Sequence, residues 1–129
     1  MSPVLVLLHG FWGEPSDWDQ VLDELPNWDR EKIWRPDLFS RNSLDASHDL
    51  LTWSKNFWSE YRARFGDSKI VLCGYSLGGR LALHAWQAEP QSVMELILIS
   101  THPGGLTEEE ARARQNWIDQ WSKRFETEE

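Results

Sequence analysis

The fold of this chain is decided by seven consecutive residues, Gly74-Tyr75-Ser76-Leu77-Gly78-Gly79-Arg80. They follow an apolar run at 69–73 and open a helical pattern at 80–86, so the order is strand, sharp turn and helix. Ser76 stands at the apex of the turn, with a glycine two residues to each side. Such a turn strains the backbone of the serine and brings its neighbours into contact, where a Cβ would collide. The stretch therefore predicts a nucleophilic serine.

Composition and charge narrow the class of protein. The 129 residues are 40% apolar and include nine tryptophans, which is enough for one domain with a buried core. A net charge of −8 without a clustered basic face argues against nucleic acid and anionic membrane as partners. The single cysteine, Cys73, lies inside an apolar run and excludes a disulfide framework. Because there is no disulfide framework, we expect a cytoplasmic protein, and no run is long enough to span a bilayer.

Hydrophobic periodicity predicts strands and helices in alternation. Apolar runs predict strands at 4–8, 32–35, 69–73 and 93–100, and the unbroken run at 4–8 is typical of a strand covered on both faces. Helical spacing predicts a helix that Ser16 caps and that carries Trp18, Val21, Leu22 and Leu25 on one face. Further helices are predicted over 45–65 with Gly66 at the C-cap, from the turn at Ser76 to before Pro90, and over 107–125. Four strand–helix units in succession predict a parallel sheet with right-handed crossovers.

The loops that carry chemistry all follow predicted strands. In a parallel sheet these loops meet at one edge, and ligands bind there. The four loops are 9–13, 36–39, 74–80 and 101–105. Attack by a serine on a carbonyl group creates an oxyanion, which needs hydrogen-bond donors already aimed at it. We expect those donors to be the backbone N–H of Leu77, at the start of a helix, and the backbone N–H of Phe11, after the first strand.

The chain resembles the N-terminal half of an α/β-hydrolase in Leu8-His9-Gly10-Phe11, in Asp37-Leu38 and in the turn around Ser76. It is more similar to one branch of that superfamily, the synthases of 2-succinyl-6-hydroxy-2,4-cyclohexadiene-1-carboxylate in menaquinone biosynthesis. The features typical of that branch are Tyr75, Arg80, His102-Pro103-Gly104 and the segment 110–115. The resemblance implies an α/β-hydrolase core in 1–106 that lacks the C-terminal strands, and the start of a cap helix in 107–129.

The resemblance also implies a reaction that uses no cofactor and no metal. A serine–histidine–aspartate triad would remove a proton from a polycarboxylate precursor and trigger the loss of pyruvate, which leaves a cyclohexadiene. Arg80 and Arg114 would bind the substrate carboxylates, and Tyr75 would line the pocket. The backbone of Phe11 and Leu77 would hold the developing negative charge on the substrate oxygen.

Two features depart from the family pattern. The family's Asp-Leu-Pro-Gly-His-Gly segment is Asp37-Leu38-Phe39-Ser40-Arg41-Asn42 here, so we expect a rebuilt pocket wall. The triad acid and histidine of the family follow the serine from later strands, whereas this sequence ends within the predicted cap helix. His102 is the one histidine predicted at the functional edge, and it belongs to the His-Pro-Gly motif. The triad is therefore expected to be incomplete in this chain.

Two other functions stay open at this point. The same residues suit a carboxylesterase or thioesterase, which an ester panel tested against polycarboxylates would separate from the synthase reaction. The chain also fits a non-catalytic half-fold, because a sheet that ends at its fourth strand leaves an apolar edge. Such an edge predicts a homodimer or pairing with a complementing C-terminal fragment.

Overall fold

A computed structural model describes residues 3–101 together with 109, 112, 113, 115 and 116. Its strands are β1 (Val4–Leu8), β2 (Ile33–Trp34), β3 (Ile70–Tyr75) and β4 (Val93–Ile99). They form one parallel sheet in the order β2-β1-β3-β4. Its α-helices are α1 (Asp19–Asp23), α2 (Leu50–Phe65) and α3 (Leu77–Ala88). The parallel four-strand sheet with flanking helices that the sequence predicts is confirmed.

The central strand β1 is buried on both faces of the sheet. Val4, Val6 and Leu8 belong to the larger core, beneath α2 and α3. Leu5 and Leu7 belong to a smaller core on the opposite face, beneath Trp18 and Leu22. This double burial explains why β1 reads as a continuous apolar run without alternation. The strand pairs with β3 from Val4 opposite Ile70 to Leu8 opposite Gly74, so β1 and β3 end together at the carboxyl edge.

An aromatic stripe on α2 fills the larger core. Trp53, Phe57 and Tyr61 are fully buried, with ring centroids 5.2 Å apart for the first pair and 6.4 Å for the second. The Trp53 indole N–H donates to the carbonyl oxygen of Leu44 at 3.0 Å, so its polar atom is satisfied inside the core. The stripe therefore ties α2 both to the sheet and to the loop that precedes the helix.

The helix expected from Ser16 and the strand expected at 32–35 are shorter in the structure, and each difference has a local cause. The helix expected from Ser16 is a 3₁₀ turn over Pro15–Trp18 followed by the short α1, and Glu14 stands at its N-cap. The Ser16 hydroxyl instead donates to Glu14, and Val21 is exposed. Strand β2 is limited to Ile33–Trp34 by a 3₁₀ turn over Arg30–Lys32 before it and by Pro36 after it.

The helix expected from residue 45 begins five residues later. The Asp49 carboxylate caps it by accepting hydrogen bonds from the Thr52 N–H at 2.9 Å and the Thr52 hydroxyl at 2.7 Å. The Asp45 carboxylate accepts from the Ser47 N–H at 2.8 Å, which folds the preceding residues into a turn. Gly66 ends α2 with φ +66°, as the predicted C-cap glycine requires.

Strand β4 forms one edge of the sheet in the part of the chain that the structure describes. Side chains on both of its faces stay exposed, including Met94, Ile97, Leu98 and Ile99. Most of the predicted cap helix, together with His102 and Arg114, lies outside the described residues. Among the described helices, none is both long and apolar enough to cross a membrane.

Replacement of Trp53 by Phe tests the aromatic stripe. We expect Trp53→Phe to lower the free energy of unfolding by about 2–4 kcal/mol, because it shrinks a buried ring and leaves the Leu44 carbonyl without its donor. Urea denaturation monitored by circular dichroism measures the change. The matched control is Trp86→Phe on α3, where the ring is 37% exposed and a cost below about 0.5 kcal/mol is expected. Equal costs for the two variants would contradict this account.

Candidate active site at the carboxyl edge of the sheet

Ser76 occupies the sharp turn between β3 and α3 in a strained backbone conformation. Its dihedral angles are φ 54° and ψ −117°, a region that residues with a side chain rarely adopt. The Ser76 N–H donates to the carbonyl of Ile99 at 2.9 Å. The Ser76 carbonyl accepts from the N–H groups of Gly79 and Arg80 at 3.0 and 3.2 Å, and from the Thr101 hydroxyl at 2.8 Å. These hydrogen bonds to β4, to α3 and to Thr101 hold the strained turn in place.

The glycines around Ser76 leave no room for side chains. A Cβ on Gly74 would lie 2.4 Å from the carbonyl oxygen of Gly78. A Cβ on Gly78 would lie 2.1 Å from the carbonyl oxygen of Leu8, at the end of β1. The close approach that the sequence predicts between the two flanking glycines is therefore confirmed. The turn also packs directly against the backbone of the neighbouring strand.

The turn after β1 lies against the serine. A Cβ on Gly10 would lie 3.3 Å from the Cβ of Ser76 and 2.8 Å from the ring of Tyr75. The Ser76 side chain is half-buried, and no group in the described part of the chain hydrogen-bonds its hydroxyl. The start of the loop after β1 and the start of α3 therefore meet at the Ser76 side chain.

The two backbone N–H groups predicted as oxyanion donors belong to residues next to this contact in the chain, since Phe11 follows Gly10 and Leu77 follows Ser76. Leu77 is the first residue of α3, so its N–H has no acceptor within the helix. Phe11 follows Gly10 in a turn that the Gly13 N–H closes by donating to the Gly10 carbonyl at 3.0 Å. Neither N–H donates a hydrogen bond to another described residue. Both N–H groups are therefore unengaged in the described part of the chain, and their role as oxyanion donors stays a prediction.

His9 is a buried link between two loops of the site, and its protonation state follows from its partners. The Leu38 N–H donates to Nε2 of His9 at 2.9 Å, so Nε2 carries no proton. The proton is therefore on Nδ1, which donates to the Gly10 carbonyl at 3.0 Å. Because both ring nitrogens are engaged and the residue is 1% exposed, His9 is not available as a base for Ser76.

The contact between His9 and Asp37 is not an ion pair. The Asp37 carboxylate lies 3.8 Å from Nε2 of His9, which is too long for a hydrogen bond. A charged imidazole would also need a proton on Nε2, the atom that already accepts from Leu38. The sequence did not predict this linking role of His9, because its partner Leu38 comes from a distant part of the chain.

The segment that replaces the family's glycine-rich turn is built around Asp37. Its carboxylate accepts from the Ser40 hydroxyl at 2.6 Å and from the Phe39 N–H at 2.9 Å. The Ser40 hydroxyl, and then the Phe39 N–H, lower the pKa of Asp37 below its usual value because they stabilise the ionised form. A carboxylate-centred turn thus takes the place of a glycine-rich one.

Two of the three predicted substrate contacts, Tyr75 and Arg80, lie on the strand and the helix that flank Ser76. Tyr75 ends β3, is 48% exposed, and has its ring against Gly10. Arg80 is half-buried in the first turn of α3, and no carboxylate in the described part of the chain pairs with it. The predicted contact Arg114 lies outside the described residues. Among the described residues, no cluster of histidine, cysteine, aspartate and glutamate is suited to hold a metal ion.

Three exposed aromatic rings at the same edge were not predicted from the sequence. Phe11, Trp12 and Phe39, here called the aromatic shelf, are 41%, 63% and 40% exposed. The ring of Phe11 lies 5.2 Å from Trp12 and 6.0 Å from Phe39, and Trp12 lies 6.5 Å from Phe39. The sequence feature that could have predicted them is the presence of large aromatic residues in two loops, where no strand or helix periodicity explains them as core residues.

Replacement of Gly78 by Ala tests the contact between the elbow and β1. We expect Gly78→Ala to cost about 3 kcal/mol or more of unfolding free energy, because the new Cβ meets strand backbone that cannot rotate away. The matched control is Gly66→Ala, which has φ +66° but nothing within 4 Å of the added Cβ. Backbone strain alone predicts a cost of about 1–2 kcal/mol there. Thermal unfolding of both variants measures the difference, and a smaller loss for Gly78→Ala would refute the contact.

The lowered pKa of Asp37 predicts how stability depends on pH. The ionised carboxylate stabilises the fold above the pKa of the unfolded state, and this contribution is lost as pH falls through the lower folded pKa. We expect Asp37→Asn to cost about 0.5 kcal/mol at pH 7, since the side chain is partly exposed, and almost nothing near pH 2. Urea denaturation at both pH values measures this. Asp23→Asn, whose carboxylate accepts no hydrogen bond among the described residues, should show no such pH-dependent loss.

Comparisons with known proteins bear on the resemblance. A model of the alpha/beta hydrolase family matches residues 5–128. The 2-succinyl-6-hydroxy-2,4-cyclohexadiene-1-carboxylate synthase of Enterobacter sp. (strain 638) is 34% identical over 128 residues, which cover 98% of this chain and 48% of the relative. The synthase of Klebsiella pneumoniae is 32% identical over 127 residues, with 98% and 49% covered. The chain thus spans about half the length of the curated relatives it matches.

Two solved structures are similar to this fold. The structure of MenH from S. aureus gives a TM-score of 0.66 at 26% identity, covering 91% of this chain and 44% of that one. A membrane phospholipase A, described as a bacterial virulence factor, gives a TM-score of 0.64 at 26% identity, with 82% and 34% covered. These matches confirm the resemblance drawn from the residues around Ser76. Because the family model covers nearly the whole sequence, the chain belongs to the alpha/beta hydrolase family.

Proposed function

We propose that this chain is the serine-bearing half of an enzyme that eliminates pyruvate from a polycarboxylate precursor and so forms a cyclohexadiene. The observation that carries the proposal is the strained backbone of Ser76 beside the unengaged N–H groups of Phe11 and Leu77. A positioned hydroxyl with two donors nearby suits chemistry in which negative charge develops on an oxygen. The similarity to synthases of 2-succinyl-6-hydroxy-2,4-cyclohexadiene-1-carboxylate supports the choice of reaction.

In the proposed reaction, Ser76 acts with a histidine to remove a proton from a carbon next to a carbonyl group. The electron pair of that C–H bond moves onto the carbonyl oxygen, where the N–H groups of Phe11 and Leu77 stabilise it. The pair then returns to form a carbon–carbon double bond and breaks the bond to the leaving oxygen. Pyruvate departs as its enolate and takes up a proton.

Arg80 is proposed to bind a substrate carboxylate. Its guanidinium has no carboxylate partner in the described part of the chain, and it sits one helical turn beyond Ser76. A planar guanidinium can hold a carboxylate through two parallel hydrogen bonds. Tyr75 is proposed to line the same pocket, and Arg114 to supply a second carboxylate contact from the proposed cap segment, 107–129.

The histidine and acid of the triad are proposed to come from additional polypeptide that pairs with β4. A serine hydroxyl near its ordinary pKa is a poor nucleophile or base without an adjacent imidazole. Among the described histidines, His9 is engaged with Gly10 and Leu38, His48 lies against the Asn42 carbonyl before α2, and His84 lies two turns along α3. The exposed apolar side chains on both faces of β4 suit a segment that continues the sheet and its cores.

A second candidate function is ester hydrolysis. The similarity to a membrane phospholipase A favours it, since the same turn and donors suit acyl transfer as well as proton removal. The remaining alternative is a non-catalytic homodimer, in which the β4 strands of two copies pair edge to edge. The exposed apolar side chains of β4 favour it.

The test measures pyruvate release, coupled to lactate dehydrogenase, for the chain alone and for the chain mixed with the C-terminal half of the Enterobacter relative. We expect release only in the mixture, and a loss of about 1000-fold or more with Ser76→Ala. Arg80→Gln should raise KM about 10-fold with little change in kcat, as expected for lost carboxylate binding. Ser59→Ala, an exposed serine on α2, is the matched control and should leave both constants unchanged.

Other outcomes of the same test separate the alternatives. Sedimentation of the mixture shows whether the two polypeptides associate. Association with hydrolysis of p-nitrophenyl esters but no pyruvate release supports the esterase and rejects the synthase reaction. A chain that sediments as a dimer, ignores the added half and acts on neither substrate supports the non-catalytic half-fold.

A further inference from the structure

We propose that the aromatic shelf is a binding subsite for a flat, unsaturated ring of the ligand, so that the site prefers conjugated or aromatic ring carboxylates over saturated ones. The proposal rests on the proposed function, since it places that ring beside Ser76. It adds a specificity role for Trp12 and Phe39, two residues that neither the motif around the serine nor the expected triad includes.

The shelf is continuous with the site of Ser76. Phe11 follows Gly10, where an added Cβ would lie 3.3 Å from the Cβ of Ser76. The ring of Phe39 lies 5.4 Å from that of His9, the buried residue that joins the two loops. A ligand held by the N–H of Phe11 would therefore lie within reach of the rings of Trp12 and Phe39.

The exposure of these rings contrasts with the treatment of aromatic residues elsewhere in the same protein. Trp53, Phe57 and Tyr61 on α2 are at most 1% exposed, whereas each ring of the shelf is at least 40% exposed. Adjacent exposed aromatic rings at the ligand-binding edge of a sheet indicate a surface that a ligand covers. The ring of Tyr75, 48% exposed and against Gly10, extends the same surface toward the serine.

The backbone at Trp12 supplies an independent argument. Trp12 has φ 61°, a conformation that glycine adopts without strain and that a tryptophan adopts at a cost. Gly10 and Gly13 stand in the same turn, so glycine is tolerated in this loop. A large ring held at a strained position, and left 63% exposed, is explained if the ring itself contacts the ligand.

The geometry of the rings indicates the shape of the ligand. Trp12 and Phe39 are inclined by only 25°, while Phe11 meets them edge-on at 67° and 76°. Trp12 and Phe39 form a stacked pair, so an outer face of the pair offers a surface on which a planar ring stacks, and Phe11 borders the pair. Stacking favours a π-system over a puckered saturated ring of the same size by about 2- to 10-fold in affinity.

The experiment compares benzoate with cyclohexanecarboxylate, which share a carboxylate and a six-membered ring but differ in planarity. Their dissociation constants for the full chain are measured by isothermal titration calorimetry. We expect benzoate to bind about 2- to 10-fold more tightly, and Phe39→Leu to remove this preference while the chain stays folded. Trp86→Leu, which removes an exposed ring from α3, is the matched control and should preserve it. Trp12→Gly, which suits the backbone at φ 61°, provides a second variant.

The outcomes distinguish the shelf from the proposed reaction. Arg80→Gln should weaken both probes equally, because it removes a carboxylate contact and no ring. An unchanged preference in Phe39→Leu and Trp12→Gly overturns the shelf, whether or not pyruvate is released. A preference that depends on Phe39 without any pyruvate release overturns the reaction and leaves the shelf. Failure of both probes to bind, with self-association that Phe39→Leu abolishes, shows that a second copy covers the rings and overturns the ligand subsite.

Discussion

The contact between Gly78 and the carbonyl of Leu8 is the constraint on which the rest of the site depends. It lets the first turn of α3 lie against the end of β1, at a distance that any larger residue would increase. Only at that distance can the loop after β1 reach the serine. The strained angles of Ser76 follow from the same demand, because the chain must reverse within one residue to enter the helix. The position of every residue proposed to take part in the chemistry therefore depends on this close packing of backbone against backbone.

A second contact makes the loops of the site act as one unit. His9 lies beneath them and joins the turn after β1 to the segment after β2 through its two ring nitrogens. Asp37 then folds that segment back with hydrogen bonds from Ser40 and Phe39. The result is a wall in which His9 and Asp37 have partners inside the protein, while the aromatic rings remain on the outer surface. A subsite that discriminates between ligands by shape needs a rigid support, which these hydrogen bonds provide, and an apolar contact surface, which the aromatic rings provide.

The sequence was a reliable guide where local chemistry decides the structure and a poor one where distant partners do. The elbow at Ser76, the double burial of β1 and the glycine cap of α2 follow from glycine conformation and apolar runs, and the structure has all three. The start of α2 was misplaced because the Asp49 carboxylate competes successfully as an N-cap. The link from His9 to Leu38 could not be read locally, since it exists only after β1 and β2 are paired. The roles assigned to Ser76, Phe11, Leu77, Tyr75 and Arg80 stay predictions.

The register of the central strands has a consequence for how the chain acquires its structure. Val4 is paired with Ile70, so during synthesis β1 must wait until β3, more than 60 residues later in the chain, has been made before its main neighbour exists. Strand β2 offers only two residues as an interim partner. Ordering of the N-terminal segment is therefore coupled to a late loop closure, which makes assembly slow and leaves the nascent chain open to chaperones or premature association during synthesis.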